Sequence, residues 1–131
     1  MNNHFHALIW IDHRLAKVFH FNDEAHEIEL VHSSNPHQHI HHKANSGDSG
    51  HAPVDKDYLE RIVQAVAGAG AILIAGPGGA KTELHTHIKR LHTQMAEKIS
   101  DVEALDHPTD GELLAHARRF FRADDRMRRQ V

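Results

Sequence analysis

The chain has 131 residues, 40% of them hydrophobic and 25% charged, with no cysteine and a formal net charge of -3. That length fits one domain around one core, and the lack of cysteine excludes disulfides, thiol nucleophiles and cysteine-ligated zinc. No apolar run approaches the ~20 residues that cross a bilayer, and the N-terminus carries no charged-then-apolar leader, so a cytoplasmic domain with no membrane partner is expected. Charge is spread unevenly. Residues 1–60 hold 9 acids against 4 bases, whereas residues 112–131 hold 6 arginines against 3 acids. Protonating the 16 histidines would reverse the sign of the net charge, so affinity for anions is expected to rise as pH falls toward the ordinary imidazole pKa of about 6.5.

Along the chain, His6 to Asp12 is rich in Ala7, Leu8, Ile9, Trp10 and Ile11, which predicts a strand buried on both faces and central in its sheet. Leu15–Phe21 and His26–His32 form two more strands across short polar breaks, giving an antiparallel meander. In the third strand Ile28, Leu30 and His32 share one face, while Glu27, Glu29 and Val31 share the other. This pattern suits a half-exposed edge, through which a strand-paired homodimer can form. Residues 34–53 lose apolar periodicity and fill with His, Gly, Ser and Asn, including the run His37-Gln-His-Ile-His-His-Lys43. A structureless stretch of this length inside a small domain is usually functional or disordered.

Asp55 is placed to cap a helix running through Ala67, with Leu59, Ile62, Val63 and Val66 as its apolar stripe and Gly68 and Gly70 ending it. The buried strand Ala71 to Ala75 then breaks at Gly76-Pro77-Gly78-Gly79. A second helix follows, in which Leu84, Ile88, Leu91 and Met95 recur at helical spacing and leave His85, Lys89 and Arg90 toward water. A weaker strand spans Ile99 to Leu105. Thr109-Asp-Gly-Glu112 matches a capping box and opens a last helix through Leu113, Leu114, Ala117 and Phe121. The order β-β-β-loop-α-β-α-β-α predicts a single α/β domain over residues 1–123 with a basic tail over 124–131. Its sheet is mixed and five-stranded, a three-stranded antiparallel meander plus two parallel strands flanked by helices, in ribonuclease H-like topology.

The glycine turn is the main candidate site. Glycines admit close backbone approach, and a following helix N-terminus favours an anion such as a nucleic-acid phosphate, while a strand-to-helix turn with no ligand is the competing reading. The nucleotide-binding pattern Gly-x-x-x-x-Gly-Lys-Ser/Thr is not met, because Ala75 and Ala80 stand where it needs glycine and only Lys81-Thr82 fit. Candidate RNA contacts are therefore Gly76, Gly78, Gly79, Lys81 and Thr82 at the turn, His39, His41, His42 and Lys43 in the loop, and Arg118, Arg119 and Arg122 in the last helix. Arg126, Arg128 and Arg129 extend that basic end.

His37, His39 and His41, spaced by two, would line one face of an extended segment, a donor set suited to zinc, nickel or copper. A histidine-rich loop of this kind implies weak zinc or nickel binding and no dedicated cofactor. His85 and His87 are two apart on a helix and face away from each other. Asp12 ends the first strand, where a ribonuclease H-like nuclease keeps an acid. Asp101, Asp106 and Glu29 offer it no convergent partner, so it reads as a turn acceptor beside Arg14. Trp10, Phe5, Phe19, Phe21, Phe120 and Phe121 are assigned to packing, and no serine sits in a nucleophile elbow.

Three segments carry a family resemblance. Ile11-Asp12-His13-Arg14-Leu15-Ala16, Gly76-Pro77-Gly78-Gly79-Ala80-Lys81-Thr82-Glu83 and Asp106-His-Pro-Thr-Asp-Gly-Glu-Leu113 resemble, in this order, the opening turn, the Gly-Pro-Gly-x-x-Lys turn and the lead-in to the last helix of one domain. It is the middle domain of eukaryotic and archaeal peptide-chain release factors and of the ribosome-rescue factor Pelota. Small bacterial proteins described as translational machinery components look similar overall. The resemblance covers most of the chain and implies the ribosome or structured RNA as partner. In release factors the long loop carries Gly-Gly-Gln, which helps water attack the peptidyl ester. Here His41 to Gly50 has the basic lead-in without that motif, so the implied role is non-enzymatic, in rescue, hibernation or as an adaptor, with neither peptidyl-tRNA hydrolysis nor nuclease activity. A histidine-rich metal-binding accessory protein is the alternative.

Overall fold

A computed structural model of the protein describes residues 5–22, 24–33 and 54–129, with side chains as far as Ala123. Strand β1 (His6–Ile11) has five consecutive apolar residues, Ala7 to Ile11, all buried. Such a strand has no face to offer water, and it lies in the middle of a sheet ordered β3-β2-β1-β4-β5. Strands β2 (Leu15–Phe21) and β3 (His26–His32) complete an antiparallel meander, with His6 opposite Phe21 and Phe21 opposite His26. Strands β4 (Ala71–Gly76) and β5 (Ile99–Ala104) run parallel to β1. The mixed five-stranded α/β architecture expected from the sequence is the one found.

Alternation along β1 divides the core in two. Ala7, Ile9 and Ile11 point to the layer formed by α1 (Lys56–Ala65), α2 (Ala80–Leu91) and the short α3 (Thr93–Ala96), where Tyr58, Leu59, Ile62, Leu84 and Ile88 meet them. Leu8 and Trp10 point to the other layer, where Leu113, Ala117 and Phe121 of α4 (Asp110–Arg129) pack with Phe19, Phe21, Leu73 and Ala75. Both predicted caps form. Asp55 Oδ1 accepts from the Asp57 amide at 3.2 Å, while the Glu112 amide donates to Thr109 Oγ1 at 3.1 Å and the Thr109 amide to Glu112 Oε1 at 2.9 Å. Helix α1 ends at Ala65, two residues before the expected Ala67. Helix α4 runs on to Arg129, so the stretch read as a basic tail from residue 124 begins inside it; the side chains there, Arg126, Arg128 and Arg129 included, lie outside the described residues. Among the described residues no helix is long and apolar enough to cross a membrane.

One expectation from apolar spacing needs correction. Leu91 was expected to extend the buried stripe of the second helix but is 64% exposed. The helix stops there because His92 takes φ -136°, ψ 65°, so Met95 belongs to α3 and the buried positions of α2 are Ala80, Leu84, His87 and Ile88. On β3 the apolar pair Ile28 and Leu30 is exposed and only Val31 is buried. The cause is the reach of the two helical layers. Val31 joins the core under α1, whereas the core under α4 is drawn from β1, β2 and β4 and stops short of β3.

Candidate functional site

Strands β1, β3, β4 and β5 all finish at one end of the sheet, and the residues there are tied together across long sequence separations. Asp12 Oδ1 accepts from the amides of Arg14 and Leu15, both at 2.8 Å, which makes it the turn acceptor that the sequence suggests. The Asp12 carbonyl accepts from the Tyr58 hydroxyl at 3.0 Å. Burial, and next the nearby Asp12 charge, push the Tyr58 phenol well above its ordinary pKa. The Ser33 amide donates to Arg14 O at 2.9 Å, and the Val54 amide donates to Glu83 Oε1 at 2.7 Å. Segment 34–53 therefore leaves and re-enters the described structure at this one end, beside the Asp12 turn and the first turn of α2.

The glycines of the neighbouring turn play different parts. A side chain at Gly76 would drive its Cβ into the Ile11 carbonyl oxygen, so this glycine is fixed by the close approach of β4 to β1. A Cβ at Gly78 or Gly79 would meet nothing within 4 Å. These two present bare backbone outward. Only Pro77, Gly78 and Gly79 separate β4 from α2. The next residue, Ala80, sends its methyl into the core, so the place where a nucleotide-binding loop needs glycine is filled here for packing. Lys81 Nζ donates to Gly78 O at 2.5 Å, folding its cation back over the turn. Thr82 is exposed. Glu83 brings a carboxylate to the same helical turn, with Oε2 3.9 Å from His13 Nε2, so the charge at this end is mixed.

The basic side chains of α4 stand elsewhere. Arg118 Nη2 donates to Asn22 O at 3.3 Å and to Ala25 O at 3.4 Å, which places it over the β2–β3 turn at the opposite end of the sheet. Arg119 and Arg122 are exposed on the same helix. The structure thus gathers Gly76, Gly78, Gly79, Lys81 and Thr82 with both anchors of the long segment, and sets the arginines apart from them. The loop candidates His39, His41, His42 and Lys43, and the metal candidates His37, His39 and His41, lie outside the described residues.

A further constellation was not anticipated. Glu60 Oε1 on α1 lies 3.0 Å from His87 Nε2 and 2.9 Å from His92 Nε2, at the far end of α2. Hydrogen bonds from His92 and then His87 hold the Glu60 carboxyl down to about 2. His87 is buried and the other two partly exposed. Sequence spacing pairs His87 with His85, which does face away from it, but offers no cue to a glutamate 27 residues earlier on another helix.

This strand order defines a mixed α/β fold that other solved structures share. No family model matches the chain, and no curated protein matches it in sequence. Among solved structures, Pelota from Archaeoglobus fulgidus aligns over 90% of this chain and 32% of its own, with a TM-score of 0.63 at 14% identity. Pelota from Thermoplasma acidophilum aligns over 82% of this chain and 30% of its own, with a TM-score of 0.56 at 17% identity. The archaeal translation termination factor aRF1 gives 78% and 30%, a TM-score of 0.53 and 15% identity. The chain spans about a third of the length of these proteins. At such identities the likeness is one of fold, and it agrees with the resemblance carried by the three sequence segments.

Proposed function

We propose that the chain is a non-enzymatic, cytoplasmic domain that binds the ribosome or structured RNA, in a rescue, hibernation or adaptor role. The observation that carries this reading is the meeting, at one end of a Pelota-like sheet, of the open Gly78-Gly79 backbone, Lys81 and both anchors of the histidine-rich segment. Exposed backbone amides and a lysine at a helix N-terminus suit phosphate. Segment 34–53 holds no Gly-Gly-Gln, and Asp12 is engaged as a turn acceptor, which favours occupancy of an RNA surface over chemistry on it. Arg119 and Arg122 add longer-range attraction from the opposite end.

Co-sedimentation of the untagged protein with ribosomes and separated subunits, across a salt series at pH 6.5 and 7.5, tests the proposal. Saturable, salt-sensitive pelleting with one particle is expected, stronger at the lower pH. Lys81→Ala and the triple change His39→Ala/His41→Ala/His42→Ala should each weaken it without unfolding the domain. Absence of pelleting at low salt would overturn the reading.

A further inference from the structure

We propose that Glu60, His87 and His92 form a binding site for a divalent transition metal ion, with zinc the best-suited occupant. The inference is independent of the ribosomal reading. Their ligand atoms all lie within 4.8 Å of one another, and this is the group of three or more such residues that the described part of the chain brings together. Other histidine–carboxylate contacts include those of His116 with Glu103 at 2.7 Å, His20 with Glu29 at 3.8 Å, and His13 with Glu83 at 3.9 Å. At Glu60 two imidazole Nε2 atoms converge on one carboxylate oxygen.

The geometry that serves the two hydrogen bonds can also accommodate a metal ion. Zinc bonds of about 2.0–2.1 Å in a tetrahedron place neighbouring ligand atoms roughly 3.3 Å apart. The carboxylate–imidazole separations of 3.0 and 2.9 Å need to open by only a few tenths of an ångström to admit the ion. Gln64 Nε2 donates to the second oxygen, Oε2, at 3.2 Å, which leaves Oε1 to act as a single-atom ligand and holds the carboxylate in place. His87 is fixed by burial within the α1–α2 layer. Glu60 and His92 are partly exposed, so a fourth ligand, such as water, can reach the ion from solvent. Two histidines and a carboxylate with one open position form a recognised zinc donor set. On binding, each imidazole presents an unprotonated Nε2 to the ion and carries its ring proton on Nδ1, and Oε1 exchanges two hydrogen bonds for one metal bond. The ion would then join the middle of α1 to the end of α2, clamping two helices that already meet through apolar side chains and the Glu60–His87 hydrogen bond.

The test uses the full untagged chain and a version with His37→Ala, His39→Ala, His41→Ala, His42→Ala and His51→Ala, which removes the histidines of segment 34–53 as competing ligands. Zinc is titrated by equilibrium dialysis, and cobalt is added separately to read its visible d–d bands. Both proteins should take up one equivalent of metal saturably, with tetrahedral or five-coordinate cobalt bands, and zinc should raise their melting temperature. Glu60→Gln and His92→Asn, each exposed enough to leave the fold intact by circular dichroism, should weaken zinc binding by about 10- to 100-fold or more and abolish the thermal shift. The site is overturned if neither protein binds zinc one-to-one. It is also overturned if uptake vanishes with the histidines of segment 34–53 while Glu60→Gln and His92→Asn leave it unchanged. Should either single variant unfold, Gln64→Ala decides: binding weakened in a folded protein supports the site, and unaltered binding together with absent cobalt bands removes it.

Discussion

The two ends of α2 make different kinds of site. At its N-terminus the candidate residues are contiguous, Gly76 to Thr82, and a reader of the sequence meets them as one motif. At its C-terminus Glu60, His87 and His92 come from two helices, and only the packing of α1 on α2 brings them together. A local motif advertises itself yet leaves open which of its residues are there for packing. A distributed cluster is silent in the sequence, but once found it has geometry that constrains its chemistry.

The sharpest way to break the comparison is Gly76→Ala. Its Cβ would collide with the Ile11 carbonyl oxygen, so a loss of about 3 kcal/mol or more is expected in urea denaturation. Gly78→Ala and Gly79→Ala should stay within about 0.5 kcal/mol of the parent, since an added methyl meets nothing there. If they bind ribosomes as well as the parent does, the motif is a turn and nothing more.

Tyr58→Phe removes the hydrogen bond to the Asp12 carbonyl and should cost about 1 kcal/mol. Because the folded-state pKa of Tyr58 is raised, the neutral phenol supports folding below about pH 10. That support is lost as pH climbs above the unfolded-state value toward the folded one. Tyr58 is the single tyrosine of the chain, so its phenolate absorbance in an alkaline titration should appear only together with unfolding. A phenolate band rising in a still-folded protein would contradict the burial argument. Thr109→Ala, which removes half of the capping box, should cost about 1 kcal/mol by the same denaturation measurement. The smallest effect on stability is expected from Lys81→Ala, within about 0.5 kcal/mol, because its hydrogen bond to Gly78 O is exposed. Its effect on ribosome co-sedimentation should be the larger of its two readouts.

Much of the fold was legible because local signals agreed with each other. Five apolar residues in a row placed β1 in the centre of the sheet, and the polar breaks at 12–14 and 22–25 bounded β2 and β3 where they are found. Asp55 and Thr109 announced their helices by side-chain chemistry alone. What could not be read depended on how far one element covers another. Leu91 keeps helical spacing with Ile88 and Leu84, but no apolar count foretells the break at His92. The alternation of β3 suited a half-exposed edge without saying which face is covered, and Ile28 and Leu30 are exposed because the core under α4 stops short of β3. Arg118 belongs to the basic end in the sequence, yet folding places it over the β2–β3 turn, away from the glycines.

The chain has one tryptophan and one tyrosine, and the sheet separates them. Trp10 lies under α4, its Nε1 donating to Asp106 O at 2.9 Å and its ring edge-on to His107, while Tyr58 is buried under the α1–α2 layer. Each helical layer therefore carries its own natural chromophore. Melting curves followed at the indole and at the phenol would reveal, without any label, whether the two halves of the sandwich come apart in one cooperative step or in sequence.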